Sequence, residues 1–145
     1  RFGAAAEVLL QTGTTAGKII LTAVAKEKNS RAERDIAPQR VAPGNLSVAR
    51  EQGQIRVRFT AFDNTRTAGR LLFLFTDAAG TSVPPGEIPI SATKEFQDFF
   101  GRSSTAGTFS VEATFPVSGD ATVIRSLQLR VENAAGVGSP AVTEF

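Results

Sequence analysis

From Gln54 to Ala61 the chain alternates without a break: Ile55, Val57, Phe59 and Ala61 fall on one side, and Gln54, Arg56, Arg58 and Thr60 on the other. A period of two predicts a strand with one dry and one wet face. The turn-like Asp63-Asn64-Thr65-Arg66 follows, and residues Leu71 to Phe75 are then apolar at every position. Two such runs around a polar turn predict neighbouring strands of an antiparallel all-β domain. The second run carries an extra demand. A strand that is apolar on both faces needs cover on its outer side, so Leu72 and Leu74 mark an interaction surface. The N-terminal hairpin, the Phe96–Phe100 segment, a neighbouring domain or another chain would supply that cover.

The alternating rhythm recurs downstream. Phe109, Val111, Ala113 and Phe115 alternate with Ser110, Glu112 and Thr114, and Leu127, Leu129 and Val131 with Ser126, Gln128 and Arg130. Ile124 and Arg125 fall out of phase, which predicts a bulge or a strand start. Residues 46–50 read as a short strand, and residues 82–90, with Pro84, Pro85 and Pro89, as an edge strand. Residues 137–145 read as a last strand interrupted by Pro140. The period changes only in residues 91–102, where Phe96, Phe99 and Phe100 stand at i, i+3 and i+4. That spacing predicts one short helix near residues 92–101, capped by Ser91 or Thr93 and ended by Gly101. Its three rings read as a plug at one end of the sheets or, in the alternative, as a binding surface.

Upstream, residues 7–11 and 18–24 flank turn chemistry at residues 12–17 and predict a β-hairpin over residues 1–25. It belongs to the main sheets or ends a preceding module. Residues 26–43 hold mixed charges and one large apolar side chain before Val41, and read as a linker. The main domain then covers residues 44–145. Thr-Ala-Gly precedes a predicted strand three times, at residues 15–17, 67–69 and 105–107. The unequal spacing rules out a solenoid repeat. Small residues and a permissive Gly at strand entries explain it better than a repeated ligand loop.

Composition narrows the chemistry. The 145 residues are 41% hydrophobic and 21% charged, the balance of a globular chain with its own core. A net charge of +2 from 16 basic and 14 acidic residues is too small for a nucleic-acid footprint. No apolar run approaches the ~20 residues that cross a bilayer, so no membrane insertion is expected. The lack of Met predicts a fragment or processed product of a longer polypeptide. Without Cys or His there is no Ser-His-Asp or Cys-His arrangement, no thiolate or imidazole metal site and no disulfide. The acids form no recognisable glycosidase pair. Residues Gly13 to Gly17 open a strand instead of a helix, against a phosphate loop. Calcium on Asp63, Asn64, Asp77 or Asp120 is weighed against turn chemistry, and the absence of Asp-x-Asp spacing favours the turns. No catalytic residue, metal ligand or cofactor is assigned, and no enzyme is expected.

Carbohydrate sites stack sugars on exposed aromatic faces, with Trp and Tyr favoured for their polar handle. All 11 bulky aromatics here are Phe, mostly at inward positions. Arg56, Arg58 and Arg130 read as solvated sheet charges facing Glu112 across a strand pair.

Residues TGTTAGKIILTA, FTAFDNTRTAGRLLFLFTDAAG, FQDFFGRSSTAGTFSVEATFPVSGD and LQLRVENAAGVGSP resemble immunoglobulin-like modules of large secreted or surface-attached bacterial proteins. The resemblance spans residues 7–25 and 46–145 and rests on strands and turns. It implies an antiparallel immunoglobulin-like β-sandwich outside the cytoplasm, extracellular, on the cell surface or periplasmic. Such a module serves as a non-catalytic structural, adhesion or interaction element. Its partners would be neighbouring domains of the same polypeptide, another protein or a second copy. The alternative is a module that binds carbohydrate or protein, with Leu72, Leu74, Phe96, Phe99 and Phe100 as the candidate surface.

Overall fold

The alternating segments become strands in two antiparallel sheets. The computed structural model describes residues 13–25, 28–104 and 106–145. In one sheet, β3 (Ala42–Glu51), β4 (Gln54–Phe62) and β7 (Thr108–Pro116) lie in that order. In the other the order is β10 (Ala141–Glu144), β8 (Ser126–Asn133), β5 (Arg70–Thr76) and β6 (Ser82–Ser91), with the two-residue β9 (Gly136–Val137) against β8. Burial follows the sequence parity: Ile55, Val57, Phe59 and Ala61 are buried, while Arg58 is exposed. The inner faces share one core, since Phe73 and Phe75 of β5 meet Phe115 of β7 edge-on at 4.8 and 5.1 Å. On the wet face of β4, Arg58 stands opposite Glu112 as the pattern predicts, with Nε donating at 2.6 Å. Ile124 is buried after a 3-10 turn over Ala121–Val123, so the phase break is a strand start.

The helix α1 (Thr93–Arg102) joins β6 to β7. Helical spacing lays Phe96 and Phe100 on Phe109, at 4.9 and 5.9 Å, and leaves Phe99 41% exposed. Neither predicted cap is used. Ala92 holds the N-cap position without a side-chain bond, the Thr93 hydroxyl donates to the Gly69 carbonyl at 3.3 Å, and Gly101 lies inside the last turn. At the other end the Arg66 guanidinium donates to the carbonyls of Phe100 and Ser103, a cation where the helix dipole is negative. Phe96→Ala should leave the sheets formed but cost about 3–5 kcal/mol, because a ring is removed from a packed cluster. Urea denaturation followed by far-UV dichroism measures this, and an unchanged midpoint would contradict the packing.

The N-terminal region departs from expectation. The strand Gly17–Ala25 (β1) pairs along its whole length with Lys28–Ile36 (β2), so the charged stretch read as a linker is half of a ribbon. The strand expected at residues 7–11 lies outside the described residues. Both faces of β2 meet water, so its charges cost nothing in place: Glu33 accepts from Lys18 at 3.1 Å and Arg31 at 2.6 Å. Among the described residues the ribbon pairs with neither main sheet. Its base is nonetheless fixed. Asn64 donates to the Ala37 carbonyl (2.9 Å) and accepts from Gln39 N–H (2.8 Å), while Asn133 donates to the Gln39 carbonyl (2.8 Å). Val41 is already fully buried and β3 begins at Ala42, a little before the expected boundary.

Chain entry and exit run side by side. The backbone of Gly138 lies against the Val41 carbonyl. Nine residues further along β3, Arg50 donates to the carbonyls of Ile124 and Phe145, both at 2.5 Å, with its guanidinium 4.7 Å from the Phe145 ring centre. The Thr-Ala-Gly segments also converge. Ala16 N–H donates to the Asn64 carbonyl at 2.7 Å, Thr67 and Ala68 N–H to the Asp63 carboxylate, and Asp63 N–H to the Gly107 carbonyl at 2.9 Å.

Candidate functional site

Leu72 and Leu74 lie on the outer face of β5, and the cover they need comes mostly from their own sheet. Leu72 is 5% exposed, and Leu74 is half-buried. Arg130 stands opposite Leu72 on β8, and Glu87 opposite Leu74 on β6. The two are ion-paired, so their bridge passes over β5 between the leucines, while Pro89 flanks Leu72. Neither the ribbon nor the Phe96–Phe100 segment supplies this cover. The ribbon is separate, and α1 packs on the opposite, inner side.

A more open apolar surface lies where the sheets meet at β6 and β7, both edge strands. A groove of about 370 Å³ opens there, floored by Leu71, Ile90, Phe96, Phe109 and Val111, with Phe99 at its side and Glu95 and Glu112 on the rim. Of the residues singled out from sequence, Phe96 and Phe99 enter it. Phe100 lies beneath them, 5.4 Å from Phe99 ring to ring, and Leu72 and Leu74 are elsewhere. Ile90, Val111 and Ala113 were not singled out. Their inward parity was readable, but their position on two facing edges was not.

The two edges are guarded differently. The bonds Asp63 N–H to Gly107 carbonyl and Val117 N–H to Gly53 carbonyl extend the β4–β7 ladder at odd-numbered residues of β7. By antiparallel alternation, the backbone groups of Ser110, Glu112 and Thr114 therefore point to the open edge. On β6, Ala92 N–H bonds the Gly69 carbonyl, so Ser91, Pro89 and Glu87 face outward. Pro89 has no N–H to offer, and prolines guard that edge. Among the described residues, nothing guards the central residues of β7 in this way.

The other polar clusters are structural. Asp63 is fully buried, and its carboxylate accepts five bonds: Thr65 N–H (2.9 Å), the Thr65 hydroxyl (2.6 Å) and Asn133 Nδ2 (2.8 Å) on Oδ1, and Thr67 (2.8 Å) and Ala68 (2.6 Å) N–H on Oδ2. Burial pushes its pKa up, but the hydrogen bonds outweigh burial and hold it below the ordinary 3.8. Asp77 accepts from Ala79 and Thr81 N–H, and Asp120 from Thr122, each closing its own turn.

No family model, curated protein or solved structure matches the chain.

Proposed function

We propose that this chain is a non-catalytic interaction and spacer module of the immunoglobulin-like kind, carried outside the cytoplasm on a bacterial secreted or surface protein. Its contact surface is the groove between β6 and β7. The strand connections support the kinship: a hairpin in one sheet, a crossing to β5 and β6, a return to β7 beside β4, and a second crossing to β8 beside β5. The groove carries the functional reading, because it joins apolar lining to an unguarded strand edge. That pairing suits an extended peptide. A sugar would ask for aromatic faces with polar handles, and the side of this groove has only Phe99.

The test is an array of extended peptides with apolar residues at alternate positions, run beside a glycan array. Peptide binding should weaken about tenfold in Phe99→Ala, the ~1.4 kcal/mol of a partly buried ring. The melting point should barely move, since Phe99 is exposed. Glycan binding abolished by the same variant would instead transfer the surface to carbohydrate.

A further inference from the structure

Among the described residues the ribbon offers a second open strand edge. There β1 pairs only with β2, and its Leu21 is 43% exposed. An isolated two-stranded hairpin is marginal in water and gains most from a third strand and a surface against one face. Strand parity puts Ile19, Leu21 and Ala23 on one face, opposite Arg34, Ala32 and Ser30. The other face carries Ile20 and Val24 among charges, of which Lys18, Arg31 and Glu33 are already paired. The first face is thus apolar along β1, with two cations, Arg34 and Lys28, on β2.

We infer that the β6–β7 groove takes the ribbon of a second copy of this chain, with β1 added to the free edge of β7. This rests on the groove being the contact surface, and it names the occupant. Added beside β7, the ribbon presents Ile19, Leu21 and Ala23 to the side lined by Ile90, Phe99 and Val111. Backbone groups at Ser110, Glu112 and Thr114 then gain partners. Charge agrees. Arg34 lies on the apolar face and Glu95 on the groove rim, and neither has an ion pair among the described residues. The copy is a separate molecule because, among the described residues, the ribbon forms its own two-stranded sheet, paired with neither main sheet, while its base is tied to Asn64 and Asn133. Donor and acceptor are different surfaces, so the contact is head-to-tail and repeats from copy to copy, into rings or open chains.

Sedimentation velocity over a concentration series tests this with two kinds of variant. Leu21→Lys spoils the donor face. Ser110→Pro blocks the acceptor edge without touching the β4 ladder, because that N–H points outward. Thr114→Pro is a second acceptor variant should the first fail to fold by far-UV dichroism. The unaltered protein should grow in average size with concentration, past the dimer. Each variant alone should stay monomeric, yet an equimolar mixture of donor-spoiled and edge-blocked chains should form a 1:1 complex, since one good ribbon and one good edge remain. An unaltered protein that stays monomeric, or a mixture that fails to pair, overturns the inference. If the monomer still binds array peptides through Phe99, only the choice of occupant fails. If that binding is absent too, the reading of the groove goes with it.

Discussion

Replacing Asp63 with Asn should destabilise the fold by about 3–5 kcal/mol at pH 7, as expected for one member removed from a buried, fully bonded ionic network. The carboxylate accepts all five of its bonds, whereas an amide offers one oxygen and brings two N–H groups toward N–H donors. The loss should also depend on pH. The folded pKa lies below the ordinary 3.8, so the unfolded chain takes up the proton first. Stability from this group is complete above that value and drains away as pH falls through the folded pKa. The parent should therefore lose stability below about pH 4 more steeply than Asp63→Asn, and the gap should narrow with acid. Urea midpoints at pH 7, 5, 4 and 3 measure it, and parallel curves would contradict the role given to the carboxylate.

The second large effect is expected at Gly138. A methyl group there would overlap the Val41 carbonyl, and both partners are backbone, so neither can turn aside. Gly138 N–H also bonds the Val131 carbonyl at 2.9 Å, which holds it in place. Gly138→Ala should cost at least about 3 kcal/mol, while Ser139→Ala next to it, at an exposed site, should stay within ~0.5 kcal/mol. Thermal melting of the two side by side is sufficient. Equal melting points would show that the approach can relax.

Legibility from sequence divides along physical lines. The alternation in β4 and β7 was readable because each has one dry face, and it set Glu112 against Arg56 and Arg58, while Arg130, read with them, lies in the other sheet and pairs with Glu87. The ribbon strand β2 was not readable: both faces are wet, and charges that pair across strands resemble those of a solvated linker. The double-sided apolarity of β5 was visible, but its cover was not. Arg130 and Glu87 sit 43 residues apart and become neighbours only through the register of two different strand pairs. Asp63 looked like a turn residue, and it is one. Its hold on Asn133, 70 residues away, depends on topology. The groove was half legible, since the Phe96, Phe99 and Phe100 spacing located its side but not the edges that frame it.

The parallel course of chain entry and exit has a mechanical consequence. Tension applied between Val41 and Phe145 pulls β3 and the segment from Gly138 to Phe145 in opposite directions along their common length. The Val41–Gly138 contact at one end and the Arg50–Phe145 clasp at the other are then loaded together, in shear, and do not peel open one at a time. Both contacts then have to give before the two segments can slide past one another.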